Sequence, residues 1–229
     1  MATWAARGAA MRSKFAANVR ETDQILAGNW KDPELLRGRK FDVVLADYLI
    51  GAIEGFAPYY QEQMFQRLKE HVADDGRVYV IGLEPMPPSA HSSADEGTKL
   101  LIELSRCRDA CILLAGHQCY REFPYTWIQR QLEQNGFEIV KTSVLTNVYG
   151  IANIDRQLNV CRSKLQYFKD KALAKSMGTY IDDIRARASK ALQTCGGKFR
   201  VGADYCIAAR VAGSGAAAGG AAAPPSAPL

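Results

Sequence analysis

FDVVLADYLIG, residues 41–51, is the stretch that decides the fold. Val43, Val44 and Leu45 form a continuous apolar run bounded by polar residues, the pattern of a strand buried on both faces, and such strands belong to parallel sheets covered by helices. Downstream, YYQEQMFQRLKEHV (59–72) sets Met64, Phe65 and Leu68 at helical spacing with Glu62, Arg67 and Lys69 on the opposite side. ADDG (73–76) is expected to stop that helix, and RVYVIGLEP (77–85) follows as a second buried strand closing on Glu84 and Pro85. Strand, helix, strand in this order is the parallel crossover unit.

Working outward, MPPSAHSSADEG (86–97) reads as a loop. A long helix is expected from Thr98 to Gln118, and a shorter one from Tyr125 to Asn135 closed by Gly136. FEIVKTSVLTNVYG (137–150) is rich in β-branched and aromatic residues and reads as a strand. Residues 151–194 carry helical periodicity, with a break expected near Gly178, and KFRVGADYCIAARV (198–211) is a last strand. Toward the amino terminus, Phe15, Val19, Ile25 and Leu26 suggest a helix over 11–26, leading through the apolar QILAG (24–28) to Asn29, Trp30 and Asp32. The expected organisation is an extension over 1–10, one α/β domain over 11–211 with a helical insertion at 151–194, and a low-complexity tail over 212–229.

Composition narrows the classes. With 48% hydrophobic and 23% charged residues in a chain of 229, the protein has the makeup of a folded globular domain. The net charge of +5 comes from 29 basic residues interleaved with 24 acidic ones, which argues against a nucleic-acid partner, because backbone recognition needs an uninterrupted positive patch. A basic RNA-associated module has only that net charge behind it. The richest basic stretch, Arg162 to Arg187, includes Asp170, Asp182 and Asp183 and reads as a solvated helix face. No apolar run reaches the ~20 residues of a membrane span and no signal-peptide core is present, so no membrane partner is expected. A cytoplasmic location is expected; Arg7, Arg12, Lys14 and Arg20 without an acid have the composition of an organellar transit peptide, but the same residues continue into the helix expected over 11–26. The six cysteines form no CxxC pair, and Cys107 and Cys111, one helical turn apart, are two ligands where a structural zinc site needs four, so no metal is expected. His71 and His91 read as solvent-exposed, and His117 as a satisfied helix-end histidine.

The order of these elements resembles the second half of the class I S-adenosylmethionine-dependent methyltransferases. FDVVLADYLIGAIEGF resembles that family's fourth strand, which ends in Asp or Asn beside the transferable methyl group. AGNWKD (27–32) resembles the segment after the third strand that touches adenine, REFPYTWIQRQLEQNGFEIV (121–140) the helix and GF turn leading to the sixth strand, and ADYCIAARV (203–211) the seventh. The resemblance implies a Rossmann-like α/β fold: a mostly parallel sheet with helices on both faces and an antiparallel carboxyl-terminal strand. It implies S-adenosyl-L-methionine as cofactor, held by Asn29, Trp30 and Asp47, with Asp47 and Tyr48 at the methyl-transfer point and an unknown methyl acceptor near Glu84, Arg121 and Trp127. Each residue has a structural reading beside this one: Asp47 as a loop cap, Asn29 and Trp30 as helix cap and core aromatic, Glu84 as part of a turn, Arg121 and Trp127 packed on each other.

The sequence departs from the family in two respects: neither the glycine-rich turn after the first strand nor the acidic residue that ends the second strand and binds the ribose hydroxyls is found. No GxGxG turn precedes Asn29 and only 28 residues stand before it, so the cofactor's glycine-rich motif is expected to be missing from a truncated domain whose hold on the cofactor is weakened or lost. An inactive binding or scaffold protein that retains the fold's second half is the alternative. The family's sheet runs 3-2-1-4-5-7-6, so without its first strands the Phe41 strand would present an apolar edge, through which a dimer is expected. Each buried backbone group left unpaired there would cost about 1–3 kcal/mol. Residues 151–194 are expected to pack over the cleft.

Overall fold

The structure is a computed structural model that describes residues 20–213. The expected extension over 1–10, residues 11–19 of the expected first helix and nearly all of the tail lie outside the described residues. The chain divides into two compact units between Lys40 and Phe41.

In the first unit, residues 20–26 are not helical, because the Asp23 carboxylate accepts the Arg20 backbone N–H at 3.0 Å and folds a local turn in place of a helix. QILAG is not a strand either. Asn29 closes an Asx turn in which its Oδ1 accepts the Lys31 N–H at 3.0 Å, while its carbonyl accepts the Asp32 N–H at 2.8 Å.

The second unit contains β1 (Phe41–Asp47), α1 (Leu49–Ile53), α2 (Gln61–Glu70), β2 (Val72–Leu83), α3 (Glu96–Leu114), α4 (Tyr125–Gln134), β3 (Phe137–Tyr149), α5 (Ile151–Leu165), α6 (Lys171–Thr194) and β4 (Phe199–Val211). The sheet order is β1-β2-β4-β3, with β1 and β2 parallel and β4 antiparallel to both of its neighbours. In the family's numbering this order is 4-5-7-6, a Rossmann-like α/β layout in which only the seventh strand is reversed.

Register assigns the faces. Val44 pairs with Val78, Ala46 with Val80, and these strands continue through Ala209 and Ile207. Val78, Val80, Ile207 and Ala209 are fully buried, and so are Met64, Phe65 and Leu68 of α2 and Ile128 and Leu132 of α4, which pack on this side. One residue along, on the other face, Val43 is 61% and Leu45 58% exposed. The expectation that this strand is buried on both faces is therefore corrected: β1 is an edge strand, and the described residues shield only one of its faces.

Several boundaries also move. Tyr48, at φ 49°, adopts the left-handed conformation and ends β1, so LIG begins α1 and does not extend the strand. ADDG does not stop the preceding helix in isolation; it forms the start of β2, with Gly76 against the Phe41 carbonyl, where a Cβ would come within 3.0 Å of it. His71 is 3% exposed, not solvated, because it sits where α2 turns into β2 and its carbonyl accepts the Phe41 N–H at 2.8 Å. His91, by contrast, is exposed and His117 lies beside Lys164 and Tyr167. The expected break at Gly178 falls instead between α5 and α6, where Asp170 caps α6 by accepting the Ala172 and Leu173 N–H groups. Gly178 stays inside the helix.

α3, α5 and α6 bury a second core around Leu104, Cys107, Leu158, Cys161, Ile181 and Ile184, joined by Phe199 and Val201 from the start of β4. On their outer surface Arg162 pairs with Asp182, Arg185 with Asp155, and Arg187 with Glu103 and Asp183. The basic stretch is thus balanced by acids. No helix among the described residues is long and apolar enough to cross a membrane.

Candidate functional site

Ligands of open α/β sheets bind beyond the carboxyl ends of the strands, where the backbone turns away and leaves side chains uncovered. β1 and β2 run parallel with Asp47 opposite Ile81, so Asp47 and Glu84 emerge at the same end of the sheet. Tyr149 closes β3 at that end, and Asp204 enters there on the reversed β4, opposite Leu83 and Leu145.

Tyr48 follows Asp47 and is fixed by its N–H donating to the Ile81 carbonyl at 3.0 Å. A tyrosine at positive φ costs on the order of 1 kcal/mol, and such strain persists where surrounding contacts hold it. Burial, then hydrogen bonding to the Asp204 carboxylate, pushes its phenol up to about 12; Asp47 and Glu122 add to the effect. Asn147 Nδ2 also donates to Asp204, at 3.4 Å.

Glu122 comes from the loop between α3 and α4. That loop is pinned by Tyr205, whose hydroxyl donates to the Phe123 carbonyl at 2.9 Å and whose ring fills the space where any side chain at Gly82 would lie. Gly51 makes room for the loop: a Cβ there would stand 2.9 Å from Glu122 Oε2. Burial raises the Glu122 carboxyl above the ordinary carboxylate range, against the lowering effect of Arg108. Burial likewise raises the Tyr149 phenol, with Asp204 adding to it.

Beside this group lies a cavity of about 490 Å³, lined among others by Leu83, Arg108, Glu122, Tyr149 and Gln157. Its size suits a small organic molecule. Arg108 on α3 is held by Asp109 at 3.0 Å and by Gln157 Oε1 at 3.1 Å, so α5 contributes to the wall.

The residues singled out from sequence have separate surroundings. Asp47 and Tyr48 stand at the carboxyl end of β1, as described. The Glu84 carboxylate accepts the Tyr125 N–H at 2.6 Å, at the positive end of α4. Arg121 pairs with Glu54 at 3.5 Å and borders the cavity with a mostly exposed side chain. Trp127 stacks on Phe123 with centroids 4.4 Å apart and meets Phe65 edge-on at 6.0 Å. Asn29 and Trp30 belong to the first unit. Glu122, Tyr149, Asp204 and Arg108 were not singled out. The available signals were an acid near the start of the mostly apolar ADYCIAARV and an acid directly before the FP turn.

No protein-family model matches the sequence, and no curated protein matches it. Among solved structures, a Bacillus halodurans protein described as a candidate methyltransferase is 12% identical at a TM-score of 0.49, over 87% of this chain and 76% of that one. A cyclopropane synthase of Mycobacterium tuberculosis is 16% identical at a TM-score of 0.45, over 89% of this chain and 66% of its own. Coclaurine N-methyltransferase, bound to N-methylheliamine and S-adenosylhomocysteine, is 10% identical at a TM-score of 0.44, over 90% of this chain and 58% of its own. With identities and TM-scores this low, the fold assignment stands on this chain's own strand order and register.

Proposed function

We propose that this chain is an S-adenosylmethionine-dependent methyltransferase acting on an acceptor not yet known. The observation that carries the reading is the group of Asp47, Tyr48, Glu122, Tyr149 and Asp204 at the carboxyl end of a sheet ordered 4-5-7-6. The donor set fits the cofactor's charge: a sulfonium is a cation, and three carboxylates with two phenol rings favour a cation by Coulomb attraction and ring-face contact.

When bound, S-adenosylmethionine supplies an electrophilic methyl group for in-line displacement. The protein's task is to position the acceptor and exclude water. Asp47 and Tyr48 would orient the methyl-transfer point, with Tyr48 held by Asp204 and the Ile81 carbonyl. Glu122, its carboxyl raised by burial, is the group best placed to accept a proton from a hydroxyl or amine acceptor in the cavity. Arg108, Tyr149 and Gln157 would contact the acceptor's polar atoms. Asn29 and Trp30 are proposed to serve the adenine, while Glu84 and Arg121 would act on the substrate through the loop they anchor and Trp127 through its stack on Phe123.

Calorimetric titration of the chain with S-adenosylmethionine and S-adenosylhomocysteine tests this. Weak binding is expected, and Asp47→Asn should lower the affinity for the sulfonium form more than for the neutral thioether. A folded chain, judged by circular dichroism, that binds neither compound at millimolar concentration overturns the enzymatic reading and leaves an inactive binding or scaffold protein.

A further inference from the structure

The strongest unassigned feature lies in the second core, away from the acidic cleft. Cys107 and Cys111 occupy one face of α3 at a four-residue spacing, and Cys161 on α5 faces them. The three Sγ atoms all lie within 4.8 Å of one another and all three residues are buried, at 4%, 0% and 0% exposure. From α6, the Met177 thioether adds a fourth sulfur, 3.9 Å from Cys107 Sγ. Three helices therefore bring three thiols together, with the Met177 thioether adjoining the Cys107 thiol. Sequence spacing shows only the Cys107 and Cys111 pair, because Cys161 and Met177 join through packing of the inserted helices.

We infer that Cys107, Cys111 and Cys161, with Met177 beside them, form a binding site for a soft monovalent cation, copper(I), that ties α3, α5 and α6 together. The donor set selects the metal. Thiolates suit both copper(I) and zinc(II), but a thioether lies outside zinc's usual set of Cys, His and carboxylate donors, so Met177 beside the three cysteines favours copper(I), and hard cations require oxygen. The geometry is close to closed: around an ion with metal–thiolate bonds of about 2.3 Å, as zinc makes, sulfurs stand about 4 Å apart. Small side-chain rotations reach that separation. Each thiol that ligates gives up its proton to solvent, and no electron is transferred.

An entry path is present. A surface cavity of about 530 Å³ reaches both Cys107 and Met177, and its walls include Glu103, Arg106 and Tyr180. The other three cysteines are excluded by position: Cys119 and Cys206 are partly exposed, and Cys195 is exposed after α6.

The test is an anaerobic titration of the reduced 229-residue chain with copper(I) against a colorimetric copper(I) chelator. One ion per chain is expected, and a Cys119→Ser, Cys195→Ser, Cys206→Ser background should keep it. Cys161→Val, which preserves volume in an apolar core, should weaken binding by about 100-fold or more, and Met177→Leu by about 10-fold, since loss of a ligand exceeds loss of its supporting partners. Should the valine variant not fold, alkylation mapping of the wild type gives the answer: copper(I) should protect Cys107, Cys111 and Cys161 while Cys195 stays reactive. The inference is overturned if the chelator strips the ion completely, if binding tracks Cys195, if the three thiols alkylate equally fast with the ion present, or if zinc(II) outcompetes copper(I).

Discussion

β1 and β2 are written in nearly the same alphabet and meet opposite surroundings. VVLA in β1 and VYVI in β2 are both short apolar runs ending at the carboxyl edge of the sheet. In β2, flanked by β1 and β4, Val78 and Val80 are sealed beneath α2 and α4; in β1, Leu45, paired with Tyr79, is more than half exposed. Hydrophobic burial is a property of neighbours, not of the side chain alone: helices cover the face that carries Ala46, Val78 and Val80, while the described residues leave Val43 and Leu45 on the other face of β1 open.

Core truncation should separate the two regions most widely. Ile207→Ala, opposite Val80 in the sealed layer, should lose about 3 kcal/mol in urea denaturation, while Leu45→Ala should lose about 0.5 kcal/mol or less. Equal losses would mean that the outer face of β1 is covered in solution. The exposed edge gives the next effect. The wild-type chain should sediment above its monomer mass in a concentration-dependent way, and Val43→Lys with Leu45→Lys should restore a monomer, because charge on an edge strand blocks strand addition. A monomeric wild type at all concentrations would remove the proposed dimer.

The smallest effect concerns the cleft between these regions. Burial raises the Glu122 carboxyl, so its folded-state value lies above the unfolded one. Its contribution is then fully present below the unfolded value and is lost as pH rises through the folded value. Glu122→Gln should therefore melt at a higher temperature than wild type at neutral pH, with the difference vanishing in acid. A constant difference across pH would show that Glu122 does not titrate in this range.

Two residues of the candidate site were legible from residue pattern. Asp47 and Tyr48 follow an unbroken apolar run, and a polar pair at the end of a buried strand marks the carboxyl edge without any structure. Glu122, Tyr149 and Asp204 were not legible, because they come from a loop and two strands far apart in sequence. Glu84 looked like a substrate contact by the same rule that found Asp47, yet its carboxylate is engaged by the Tyr125 N–H, a pairing fixed by where α4 begins. The left-handed Tyr48 ends β1 early for a reason that no periodicity carries.

Local chemistry in the chain determined the order of the four strands and of the longer helices beyond Phe41, since period-two and period-3.6 patterns require only near neighbours, while the short α1 was missed. The parallel pairing of β1 with β2 followed too, because a helix between two apolar strands leaves one handed crossover. Tertiary structure alone decided which face of each apolar strand is sealed, and that Cys161 completes a cluster with Cys107 and Cys111. Each of these depends on contacts between segments tens of residues apart, where packing among several elements selects one arrangement and no local pattern records the choice.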